Sequence, residues 1–149
     1  MSDNTAATTV SPVHFECVTP ILRVSDLRAS VRWYGAVLGF VTDWESGNDK
    51  AHPTMASVSR DGCAVMLCEQ DQGLGSAWAW FGVGDVATLY EELRAKHAEI
   101  LQAPTSYSWA YEMRVEDPDG NVLRFGSDPR PDLPFQDAAP VRASAVLDD

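Results

Sequence analysis

The sequence predicts an α+β fold in which one strand–helix–strand–strand–strand unit occurs twice. Three observations predict it. ILRVSDLRASVRWYGAVLGF (21–40) and WFGVGDVATLYEELRAKHAE (80–99) each read as a short apolar strand ending in Val-x-Asp, then a helical pattern. RDGCAVML (60–67) and PDGNVLRF (118–125) each read as a turn feeding a strand. The landmarks repeat at nearly one offset: Asp26 and Asp85 stand 59 residues apart, Asp61 and Asp119 stand 58.

In chain order, residues 1–13 are small and polar and predict a flexible N-terminus. The folded body spans 14–127 as one domain, with the first repeat at about 14–70 and the second at about 75–127. Asp26 and Asp85 are helix N-cap residues, whose carboxylates accept from otherwise unpaired N–H groups. Leu27, Val31, Tyr34 and Leu38 then share one helix face, as do Val86, Leu89, Tyr90, Leu93 and His97. Strands are expected at 40–45 and 54–60, with Asp61-Gly62 turning into 63–68. In the second repeat, 99–107 is interrupted by Pro104, 109–116 reads as a strand, and Asp117-Pro-Asp-Gly120 turns into 121–126. Residues 128–149 hold four prolines, many alanines and an acidic excess, and read as a flexible or draped tail.

Composition bounds the function. The chain has 149 residues, of which 45% are hydrophobic, enough for a globular core. It has 22 acids against 11 bases, a net charge of −11. That balance argues against nucleic acid and against an anionic membrane surface, and it favours cationic ligands. Cys17, Cys63 and Cys68 are odd in number and lack a C-x-x-C spacing, which suits a reducing compartment. No signal peptide and no membrane-length apolar run is read, so a cytoplasmic location is expected.

Strand parity assigns the faces. Val18, Pro20, Leu22 and Val24 make a face for the first helix to cover, and Ala79, Phe81 and Val83 make the equivalent face in the second repeat. Cys17, Thr19, Ile21 and Arg23 then point away, as do Trp78, Trp80 and Gly82. After the two turns, Val65, Leu67, Leu123 and Phe125 face the helices, while Ala64, Met66, Cys68, Val122 and Arg124 face away. Thr19, Met66, Trp78 and Arg124 are therefore expected to converge on the concave side of the half-sheets.

The ordered set TPILRVSDLRASVRWYGAVLGF, FGVGDVATLYEELRAKHAEI and MRVEDPDGNVLRFG, from about 18 to 127, resembles the vicinal oxygen chelate superfamily. That superfamily includes glyoxalase I, extradiol dioxygenases and bleomycin-resistance proteins. The resemblance implies paired βαβββ modules whose curved mixed sheets enclose a site. Metal-dependent members hold a divalent ion with His, Glu, His and Glu. Spacing puts Thr19, Met66, Trp78 and Arg124 at those positions, none a good ligand, so no metal and no cofactor is expected. The nearest likeness is to the bleomycin-resistance branch, metal-free homodimers that sequester a cationic antibiotic in grooves at the subunit interface. The resemblance thus implies a small-molecule partner, a cationic or aromatic antibiotic, and protection by binding. Trp78 and Trp80, with Trp109, Tyr111 and Trp44, are the candidate groove aromatics, against the alternative that they pack a core. Arg124 is either an anion clamp or the partner of Glu112 or Glu116.

The alternatives are an enzyme of this fold with an atypical metal-free site, using Glu112 or Glu116 as base, and a carrier or sensor of another aromatic ligand. GVGDVA is a lone nucleotide-loop match and DPDGN lacks the rest of a calcium loop, so both are read as structural. His14, His52 and His97 show no ligand spacing.

Overall fold

A computed structural model describes residue 14, residues 16–69 and residues 75–137. The expected loose N-terminus (1–13) and the last part of the tail (138–149) lie outside the described residues.

The first module runs β1 (Ile21–Arg23), α1 (Leu27–Ala36), β2 (Val41–Ser46), β3 (Met55–Arg60) and β4 (Cys63–Cys68). The second runs β5 (Trp78–Gly82), α2 (Val86–Ala95), β6 (Glu99–Ser106), β7 (Tyr111–Glu116) and β8 (Val122–Ser127). Each module forms a four-stranded mixed sheet, ordered β1-β4-β3-β2 and β5-β8-β7-β6. The duplicated α+β unit is therefore the architecture of the molecule.

Local chemistry explains the elements. Asp26 and Asp85 have extended backbones, and their carboxylates accept from the N–H groups of Ala29 and Thr88, three residues on. Asp61 and Gly62 both have positive φ, 50° and 84°, as the tightest hairpin turns require. The Asp117 carboxylate accepts from the N–H groups of Asp119 and Asn121, tying the second turn, and Gly120 supplies its positive φ. β6 keeps its strand through Pro104 by irregular pairing, with register shifts between Ile100 and Gln102 and between Gln102 and Thr105.

β1 is shorter than parity predicts. Leu22 and Val24 are buried beneath α1, but Val18 is exposed and lies before the strand. Pairing with β4 begins at the Pro20 carbonyl, which accepts from Met66 N–H, and runs through Arg23, although β4 itself extends back to Cys63.

The modules share one core. Leu22, Leu27, Tyr34, Val58 and Leu67 from the first join Phe81, Leu93, Met113, Leu123 and Phe125 from the second. The Phe40 and Phe81 rings meet edge to face at 6.0 Å, and Phe81 stacks on Phe125 at 5.0 Å. Buried Tyr34 donates to Asp117 Oδ2 at 2.8 Å. Burial, then the Asp117 carboxylate, push its phenol well above the usual range, so the proton stays on Tyr34. Asn121 Nδ2 donates to the Arg23 carbonyl, and Arg60 pairs with Glu92 at 2.9 Å.

The modules thus pack through their helix-covered faces. The sheets stand open on their other faces instead of closing around a cavity within the chain. No strand of one sheet pairs with a strand of the other among the described residues. No described helix is long and apolar enough to cross a membrane.

Candidate functional site

Register fixes which side chains meet on each open face. On the second sheet, Trp80, Arg124, Arg114 and Gln102 stand in one row across β5, β8, β7 and β6. The next row toward the strand end of β8 holds Gly82, Gly126, Glu112 and Thr105. Trp78, Val122, Glu116 and Glu99 form the row on the other side.

The two glycines explain the posture of Trp80. A Cβ built on Gly126 would fall 2.7 Å from Trp80 Cζ2, and one on Gly82 would fall 3.1 Å from Cζ3. The indole therefore lies flat over bare backbone. From there its Nε1–H donates to Glu112 Oε1 at 3.1 Å.

Glu112 is fully buried, and Arg124 Nε donates to its other oxygen at 2.7 Å. Burial pushes the Glu112 carboxyl up. The hydrogen bonds from Arg124 and Trp80, the Arg124 charge and the Trp109 indole together outweigh burial and hold it below the usual carboxylate range. The same pairing raises Arg124. Arg114 stands beside them with its Nε 3.7 Å from Glu112. Both guanidiniums lie against the Trp78 ring, Arg114 at 5.2 Å and Arg124 at 5.8 Å from its centre. Tyr107 stacks on Trp109 at 4.5 Å and an interplanar angle of 8°, and its hydroxyl accepts from Gln102 Nε2.

This face is open to solvent. Trp78 is 57% exposed, and Trp80 and Trp109 are each 53% exposed. The core-packing alternative for these tryptophans does not describe them.

The structure brings Trp78, Trp80, Trp109 and Arg124 together and leaves the other four candidates elsewhere. Met66 lies on the first sheet, in a row with Ile21, Ser57 and Trp44. Half-buried Thr19 precedes β1, while Trp78 and Arg124 are on the second sheet. The expected convergence of those four is not made within one chain, because the modules meet through their helix sides. Tyr111 points to the core side of β7, opposite Glu112, with Arg130 over its ring at 5.3 Å. The sequence pattern gives Arg114 the same two readings as Arg124, anion clamp or partner of an acid, and gives no site role to Gln102 or the glycine pair. Strand-to-strand register, absent from the sequence pattern, is what assembles them.

The residues do not fit the divalent ion that the fold family implies. Met66 lies on the first sheet, Trp78 and Arg124 on the second and Thr19 before β1, and Arg124 brings a permanent positive charge. No group of three or more His, Cys, Asp or Glu side chains among the described residues is placed to hold a metal.

A cleft of about 420 Å³ lies at the module junction, on the other side from these rows, lined by Leu38, Phe40, Arg60, Phe81 and Glu92 among others. Of its charged groups, Arg60 and Glu92 pair with each other, Asp61 lies 4.0 Å from Arg60, and Asp85 caps α2. The open face of the second sheet gathers the exposed aromatics and the guanidiniums, so it is the stronger candidate.

Comparison with known proteins agrees with this architecture. The family model described as the Glyoxalase/Bleomycin resistance protein/Dioxygenase superfamily matches residues 12–125. The chain belongs to that superfamily. Among solved structures, it is similar to TioX from Micromonospora sp. ML1 (20% identity, TM-score 0.65, covering 75% of this chain and 99% of that one). It is also similar to the bleomycin-binding protein of bleomycin-producing Streptomyces verticillus, solved with copper(II)-bleomycin (24% identity, TM-score 0.62, covering 77% and 98%). A third is TnmS3, an antibiotic binding protein from Streptomyces sp. CB03234 (19% identity, TM-score 0.63, covering 77% and 99%). At these identities the likeness is one of fold. No curated protein matches the chain.

Proposed function

We propose that this chain is a metal-independent cytoplasmic binding protein that sequesters an aromatic small molecule of the antibiotic kind. The observation that carries the reading is the cluster of Trp78, Trp80 and Trp109 on one solvent-open sheet face, braced by Arg114, Arg124 and Glu112. Flat, half-exposed indoles held in fixed positions give a ligand ring large contact area at little entropic cost. Two structurally similar proteins named for binding antibiotics support the same reading.

The enzyme alternative is weaker. Glu112, a base candidate, is fully buried, both its oxygens already accept hydrogen bonds, and its carboxyl is held below the usual range.

A homodimer is part of the proposal. Each open face in the single chain leaves large apolar side chains in water, among them Ile21 and Trp44 on the first sheet. A two-fold pairing that sets the first sheet of one copy opposite the second sheet of the other would turn two open faces into one groove. Calorimetric titration with metal-free bleomycin and a panel of planar aromatic antibiotics tests the function. Saturable binding near one ligand per chain, lost on Trp78→Ala, is expected. A stable fold with no binding across the panel overturns it. Light scattering at micromolar concentration is expected to show twice the chain mass.

A further inference from the structure

The row of Trp80 on the open face of the second sheet runs against the charge of the whole chain, although Glu116 and Glu99 stand in the next row. The protein carries −11, yet two guanidiniums share this face with one contacting carboxylate. That carboxylate is spent. Glu112 Oε1 accepts from Trp80 and Oε2 accepts from Arg124, and the residue is closed to solvent.

The donors are not spent. Arg124 uses only its Nε on Glu112, so its terminal amino groups have no acceptor among the described residues. Buried Arg114 Nε has no hydrogen-bond partner among the described residues, 3.7 Å from Glu112 being too long. Both side chains keep about a quarter of their surface in solvent, beside the Trp78 ring. The next acid on this face, Glu116, stands one row away toward the turn and makes no ion pair with either arginine among the described residues. Screening over roughly 8 Å at physiological salt makes this local arrangement, not the distant acidic excess, what a bound group feels.

We infer that the ligand of this face is a flat aromatic molecule bearing an acidic group, a carboxylate or phenolate. The ring lies on the tryptophans, and the acidic oxygens accept from the free amino groups of Arg114 and Arg124, the pairing for which a guanidinium fork is shaped. This rests on the binding function proposed above and narrows it: a cationic ligand beside Trp80 meets two guanidiniums, with the nearest acid outside their contact, Glu116, one row away.

The test is calorimetry with three probes of one shape: 2-naphthoate, neutral 2-naphthamide and 2-naphthylmethylammonium. In the unmodified protein, naphthoate is expected to bind about tenfold more tightly than the amide, and the ammonium compound most weakly. Arg114→Gln is expected to weaken naphthoate far more than the amide, so that the gap between the two closes. Equal affinities, or a preference for the ammonium compound, overturn the inference and leave the aromatic binding function standing. An unchanged naphthoate preference in the Arg114→Gln protein also overturns it. Failure of all three probes to bind overturns both. The ranking in the unmodified protein decides the matter even if the variant folds poorly.

Discussion

Gly126 carries more of the site than its size suggests. A methyl group there would press on the Trp80 indole at 2.7 Å, and the neighbouring atoms Cε2 and Nε1 stand only 3.2 Å away. Gly126→Ala is therefore expected to lift the ring from the sheet and weaken its hydrogen bond to Glu112. The expected cost is about 1–3 kcal/mol by urea denaturation, with a shift in tryptophan emission. An unchanged midpoint and spectrum would contradict the packing described. Glu112 gives a second residue-level expectation. Its folded carboxyl lies below the unfolded value, so its stabilising effect is full above the ordinary carboxylate range, about pH 4.3, and is lost as pH falls through the lower folded value. The melting temperature of the unmodified protein should therefore fall more steeply below about pH 4 than that of Glu112→Gln. Removing the acceptor outright, as in Glu112→Leu, strands Arg124 and the Trp80 N–H and should cost about 3 kcal/mol at neutral pH.

At the scale of the element, turn chemistry and capping were legible, and strand partners were not. Asp26, Asp85 and the Asp61-Gly62 turn announce themselves because their roles are local: a side chain reaches its own backbone, or two residues adopt positive φ. Gly62→Ala should cost about 1 kcal/mol although nothing lies within 4 Å of the added methyl, because φ is 84° there. Gly84→Ala, also in open space but without a positive φ, should cost nothing measurable by the same denaturation. The two substitutions separate backbone strain from packing. The row Trp80–Arg124–Arg114–Gln102 was half visible. Parity puts Trp80 and Arg124 on the open face, but β5 pairs with a strand more than forty residues away, in parallel, and no sequence period encodes that alignment. The start of β1 is equally invisible to parity, since the first ladder bond is the one Met66 N–H makes to the Pro20 carbonyl.

At the scale of the whole molecule, the two modules share one core and are expected to unfold as one body. Their helix-covered faces merge into a single core through Phe40, Phe81 and Phe125, and Tyr34 reaches across to Asp117. Tyr34→Phe leaves the buried Asp117 short of a donor and should cost about 1–3 kcal/mol while loosening both modules together. One denaturation transition, coincident by far-UV dichroism and by the fluorescence of second-module tryptophans, is the expected readout. Two separated transitions would mean that the modules stand independently.

The sharing of the core has a consequence for how such a protein changes over generations. The repeat kept its buried faces interchangeable in character while its open faces parted company. One row reads Ile21, Met66, Ser57 and Trp44, and its counterpart reads Trp80, Arg124, Arg114 and Gln102. Side chains on four strands can be exchanged, together with partners such as Glu112 on the same face, without disturbing the apolar core on the other face. A new preference can therefore arise by substitution along a row, and a lineage can explore chemical targets while its scaffold stays above the threshold of folding.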